Sequence, residues 1–335
     1  MNSAAEGMGL LLLAGVMNAG FALPMKFVRG WVWENTWLVW TVVALLVLPC
    51  ALAFGTIPSF GSLLAGAGSV VFMVALCGAA WGVAQVLFGI ALERIGIALT
   101  FSIVLGLSAA MGSLIPLVRL HADRLFTRSG LTSLAGIALV LLGVATSAVA
   151  GKMRDRAKHA AAGKTEQFGA GLLMAVASGV GASMMNVGFA FGAPLATAAS
   201  AHGANPLWTT DAIWVPLMAG GAVPNLLYCT YLLRTKKSAA NYSRAASGRN
   251  VGLACAMGVL WFGSSVLYGI ATAFLGELGP VVGWPLFMSL IVIVASLLGV
   301  WTGEWRGAGK PPLRVQGLAV LVLIAAVIVL SRATF

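Results

Sequence analysis

Long uncharged stretches separated by short polar connections dominate this chain. Each approaches the roughly 20 residues that cross a bilayer as an α-helix. Ten spans are predicted, near 8–28, 37–54, 67–92, 97–118, 131–150, 168–195, 208–233, 251–275, 280–302 and 314–332. The uncharged run from Met8 to Met25 has the look of a signal peptide, but no basic segment precedes it and it matches the sixth span, so it is read as a mature helix. The pattern predicts an all-α membrane protein with ten transmembrane helices and no separate soluble domain.

The spans also repeat. Met17-Asn18-Ala19-Gly20-Phe21-Ala22 is echoed by Met185-Asn186-Val187-Gly188-Phe189-Ala190, and Trp81-Gly82 with Phe88-Gly89-Ile90-Ala91 by Trp261-Phe262 with Tyr268-Gly269-Ile270-Ala271. Five spans precede a basic linker at 151–167 and five follow it. An odd number per half makes the second half insert upside down, so two five-helix inverted repeats are expected, residues 1–150 and 168–335. Duplicated membrane units of this kind point to transport with a substrate site between the repeats.

Composition and charge sharpen the membrane reading. Sixty per cent of residues are hydrophobic and nine per cent charged, with a formal net charge of +11. That charge is a topology signal and does not mark a nucleic-acid partner. Sixteen Lys and Arg fall in the connections on one face, and only Arg119, Arg124, Arg128 and Arg332 on the other. Positive connections stay in the cytoplasm, which places both termini outside. Connections 151–167 and 234–249 are expected to be solvated and mobile. Cys50, Cys77, Cys229 and Cys255 lie in apolar spans without C-x-x-C spacing and are read as packing residues. His121, His159 and His202 form no paired-ligand pattern, and no catalytic motif occurs, so neither enzyme, metal nor cofactor is expected.

Polar side chains at membrane depth are costly unless they find a partner or a ligand. Asn18, Gln85, Asn186 and Asn225 stand out, with Ser265 at the position equivalent to Gln85 and Ser264 beside it. An amide offers donors and an acceptor, which suits a polyhydroxylated ligand. The same groups can instead join helices, and both readings stay open. Trp81, Trp261, Tyr268 and Trp284 lie in nearby spans and could stack on sugar C–H faces. Trp31, Trp33, Trp37 and Trp40 crowd one boundary and are expected to form an interfacial belt. Gly78 and Gly82 make a G-x-x-x-G suited to close intramolecular helix contact. No acidic residue falls mid-span; Asp211 and Glu277 lie near outer ends. Glu34, beside Lys26, is the candidate for proton coupling, with an ion pair to Lys26 or Arg29 as the alternative.

Several stretches resemble the L-rhamnose–proton symporter family of the drug/metabolite transporter superfamily. They include Pro24-Met25-Lys26, Trp31-Val32-Trp33-Glu34-Asn35-Thr36-Trp37, Trp81-Gly82 with Arg94-Ile95-Gly96, and Asn205-Pro206-Leu207. Gly279-Pro280-Val281-Val282-Gly283-Trp284-Pro285 and Gly303-Glu304-Trp305-Arg306-Gly307-Ala308-Gly309 complete the set. The resemblance implies a bacterial inner-membrane importer of L-rhamnose or a related 6-deoxyhexose, its partners being sugar, protons and lipid. An exporter of amino acids or small hydrophobic metabolites, and a membrane scaffold without transport, are the competing readings.

Overall fold

The computed structural model describes residues 3–95, 97–158, 168–303 and 305–333. Among the described residues ten helical stretches are long and apolar enough to cross a membrane, and they coincide with the ten predicted spans. The first is α1 (Ser3–Gly20), closed by a 3-10 turn over Leu23–Phe27. The second comprises α2 (Trp33–Val42), a π-helical turn over Val43–Val47, and α3 (Leu48–Thr56). Pro49 explains the wide turn, because it lacks an N–H and its ring crowds the carbonyl one turn back. A short α4 (Phe60–Gly66) leads to α5 (Gly68–Ile95), then α6 (Ile97–Leu120) and α7 (Arg128–Lys158).

The second half begins with α8 (Phe168–Phe191) and α9 (Ala193–Ala201). Gly192 separates them, and Pro194 sits in the first turn of α9, where a missing N–H costs little. There follow α10 (Asp211–Thr235), α11 (Ser247–Phe274), α12 (Gly279–Trp301) and α13 (Lys310–Ser331). The linker expected from 151 starts later, since α7 runs on to Lys158 through Lys152, Met153, Arg154 and Arg156, all good helix formers. Residues 159–167, with His159, lie outside the described residues, as does Glu304. Phe72, Leu173 and Trp301 are each at least 70% exposed. Such side chains would be a liability in water and are at home against lipid tails.

Packing divides the chain into two compact units, each drawing on both halves of the sequence. The first combines residues 1–16, 84–187 and 271–335. Here α7 lies close against α13, and a methyl added at Gly143 would stand 2.6 Å from the Leu323 side chain. Ser147 on α7 donates to Gln316 Oε1 at 3.1 Å, and Gln316 Nε2 donates to Ser296 on α12 at 2.7 Å. These side chains, with Arg154 and Trp305, help line a mainly apolar cavity of about 330 Å³.

The second unit comprises residues 17–83 and 188–270. Its frame is the antiparallel pairing of α2 and α3 with α10. Glu34, at the start of α2, accepts from Ser238 just beyond α10, while Thr56, at the end of α3, donates to Asp211 at the start of α10. The 234–249 connection is not the mobile loop expected. Its 3-10 turn, Ser238–Ser243, is docked: Asn35 Nδ2 donates to the Ser238 carbonyl at 3.0 Å, and Asn241 Nδ2 donates to Asn35 Oδ1 at 3.0 Å. Tyr242 donates to the Asn35 carbonyl at 3.0 Å, and burial pushes its phenol above the usual range, so it stays a donor. Side-chain amides that could satisfy the turn's backbone made it part of the core.

Candidate functional site

A ladder of tryptophans runs through the second unit. Trp33, Trp37 and Trp40 share one face of α2 because positions i, i+4 and i+7 line up on a helix. Trp33 stacks on Trp37 with centroids 5.1 Å apart, and Trp37 lies 4.4 Å from Trp40. Trp40 meets Trp261 of α11 edge-on at 5.2 Å, and Trp261 stacks on Trp81 of α5 at 5.5 Å and 23°. Phe21 adds a ring 6.1 Å from Trp40.

The interfacial belt expected of these residues is therefore only partial. Trp33 is exposed, but Trp40 is fully buried and Trp31 is buried with its indole N–H donating to the Asn241 carbonyl. The helical spacing of Trp33, Trp37 and Trp40 was the available signal. Their crowding at one boundary in sequence masked it.

Polar groups flank the rings. Asn18 Nδ2 donates to Ser264 Oγ at 2.9 Å, and the Ser264 hydroxyl donates to the Trp261 carbonyl. Ser265 is buried and donates back to the same carbonyl at 3.3 Å, so Ser264 is the serine that reaches Asn18. Asn225 accepts from Trp37 Nε1 at 3.0 Å and donates to the Gly221 carbonyl at 2.9 Å, which fixes one ring of the ladder. Trp40 Nε1 and Thr41 Oγ1 are buried without a hydrogen-bond partner among the described residues. Orphaned buried donors of this kind are rare and mark places where a ligand or water is needed.

The other predicted residues are placed as follows. Asn186, in the first unit, donates to the Gly112 carbonyl at 2.8 Å and the Pro280 carbonyl at 2.9 Å, tying α8 to α6 and α12. Its two amide protons are thus spent on helix joining. Trp284 donates to the Ser108 carbonyl at 3.0 Å and packs against Gly112, where a methyl would stand 2.6 Å from its ring nitrogen. Gln85 is half-buried one helical turn beyond Trp81 on α5. Tyr268 is buried against Phe189, whose ring centroid is 5.4 Å away. Glu34 is buried, and its described ion-pair partner is Lys236 at 3.5 Å in place of the expected Lys26 or Arg29. Lys26 itself lies in the Leu23–Phe27 turn.

Stacked indoles, with an amide and a hydroxyl in the same unit, bring apolar surface and hydrogen-bonding groups together. Ten helical stretches among the described residues, each long and apolar enough to cross a membrane, mark a multi-pass membrane transporter. The chain belongs to the family of the L-rhamnose-proton symport protein (RhaT), which matches residues 1–334. It is 30% identical to the L-rhamnose-proton symporters of Salmonella gallinarum and Citrobacter koseri and 29% identical to that of Escherichia coli. Each similarity covers 97% of this chain and 96% of the relative. The resemblance read from short motifs is thus borne out along the whole chain, and the protein is a transporter, not an enzyme.

Proposed function

We propose that this protein imports L-rhamnose or a related 6-deoxyhexose across the bacterial inner membrane together with protons, by alternating access. The observation that carries the sugar reading is the Trp40–Trp261–Trp81 ladder with Asn18 and Ser264 at its side and the unpartnered Trp40 N–H within it. A sugar ring lying on an indole exchanges buried apolar area for water, and its hydroxyls can supply the acceptor that Trp40 lacks. Membership of the symport family supports the same substrate and the same coupling. Purified protein in proteoliposomes is expected to accumulate labelled L-rhamnose when an inward proton gradient is imposed, and to be competed by 6-deoxyhexoses ahead of amino acids. Uptake indifferent to the gradient, or driven by amino acids alone, overturns this reading.

Two five-helix inverted repeats with both termini outside are part of the proposal, supported by the sixteen-to-four division of positive charge. Single cysteines at positions 122 and 163, in a background without the native cysteines, are expected to differ. Ala122→Cys reacts with an impermeant reagent from outside, and Gly163→Cys is protected. The opposite pattern inverts the topology.

A further inference from the structure

The antiparallel pairing of α2 and α10 places a carboxylate at each end, three residues ahead of a tryptophan: Glu34 with Trp37, and Asp211 with Trp214. Both carboxylates are 1% exposed. Each has a hydroxyl from the far end of the opposite span within reach: Ser238 at 2.8 Å for Glu34, and for Asp211 Thr56 at 3.2 Å, whose one proton also has the Leu52 carbonyl at 2.8 Å. The two ends are built alike up to this point.

They differ in counter-charge. Glu34 has the Lys236 ammonium at 3.5 Å on its second oxygen. Asp211 forms no ion pair among the described residues, and its Oδ1 is buried with no hydrogen-bond partner. Two more polar atoms at this end of α10, Thr210 Oγ1 and Trp214 Nε1, are also buried and without hydrogen-bond partners among the described residues. Both converge on Gly269 of α11, where a methyl would stand 2.7 Å from the threonine oxygen and 3.2 Å from the indole nitrogen. An ionised carboxylate in dry surroundings is costly unless it is paired or neutralised. At Asp211 no described residue pairs it, so a proton on Oδ1 is the simplest neutraliser.

The titratable groups on the elements packed around Asp211 offer no substitute. Cys50 lies on α3, the exposed His202 ends α9, and Tyr268 on α11 has its ring 6.5 Å from that of Trp214. None of them forms a described ion pair with Asp211.

We propose that Asp211 is the site that binds the transported proton, while the ion-paired Glu34 anchors the opposite end of the α2–α10 pair. This rests on the proton-coupled sugar import proposed above. Thermodynamic linkage then requires that proton and sugar bind interdependently. Four proteins in proteoliposomes test it: wild type, Asp211→Asn, Asp211→Glu and Glu34→Gln. Wild type accumulates labelled L-rhamnose under an imposed pH gradient. Asp211→Asn keeps exchange of labelled for unlabelled sugar, yet its gradient-driven accumulation falls to the level seen without a gradient. Glu34→Gln and Asp211→Glu retain gradient-driven accumulation.

A second readout uses purified protein. The rhamnose affinity of wild type changes with pH, that of Asp211→Asn does not, and Asp211→Glu moves the midpoint. Asp211→Asn that accumulates like wild type, or that loses exchange along with accumulation, overturns the assignment and leaves symport standing. An unmoved midpoint in Asp211→Glu overturns it as well. A wild type that ignores the gradient brings down symport and the assignment together.

Discussion

Gly78→Ala is expected to unfold or severely destabilise the protein, while Gly89→Ala on the same helix leaves it intact. The backbones of α5 and α10 touch: a methyl on Gly78 would overlap the Leu217 carbonyl oxygen and stand 2.8 Å from its carbon. Gly82 meets the Gly221 backbone in the same way, with 3.0 Å to that carbonyl carbon. An oversized side chain usually costs about 1–3 kcal/mol, and more where the obstacle is backbone that no rotamer change can move. Both partners here are helical backbone. At Gly89 no atom lies within 4 Å of an added methyl, so alanine there relieves the glycine penalty of roughly 0.5–1 kcal/mol. Melting of the detergent-purified variants should therefore move in opposite directions. Equal melting temperatures for the two variants would show that the α5–α10 contact is looser than described.

Truncating Trp261 should remove sugar binding and much stability together. Its ring is the hinge of the ladder, 5.2 Å from Trp40 and 5.5 Å from Trp81, and it is only 6% exposed. Trp261→Ala is expected to cost about 3–5 kcal/mol through the cavity it leaves. The conservative Trp261→Phe separates binding from folding. It keeps a ring but loses indole area, and rhamnose affinity should fall by about 0.5–1.5 kcal/mol, up to roughly tenfold in Kd.

Asn186→Leu is the contrasting change. It strands the Gly112 carbonyl, which Pro116 leaves without a helical N–H, at a cost of about 1–3 kcal/mol, and removes the contact to the Pro280 carbonyl, yet affinity should hold. Calorimetric titration with L-rhamnose, alongside melting, reads both quantities. Undiminished affinity in Trp261→Phe would remove the ladder from the sugar site. Weakened affinity in a folded Asn186→Leu would restore that amide as a ligand contact.

The ten spans, their all-helical character and the membrane environment were legible in the chain, because a bilayer demands about twenty apolar residues per crossing and leaves no other solution for the backbone. Breaks at Pro49 and Pro194 were equally local, since a missing N–H acts on its own helix. The family was legible too, through motifs that needed only to be present in order.

What each buried amide touches was decided by the tertiary structure alone. Asn18 and Asn186 occupy near-identical segments, yet one faces the Ser264 hydroxyl and the other two backbone carbonyls. The same holds for the carboxylates. Lys236 is about two hundred residues from Glu34 in the chain and 3.5 Å from it in space, whereas the described partner of Asp211 is Thr56. Hydropathy depends on a residue's own chemistry and is read locally. Hydrogen-bond satisfaction depends on what another helix brings within about 3 Å, and no local pattern contains that distance.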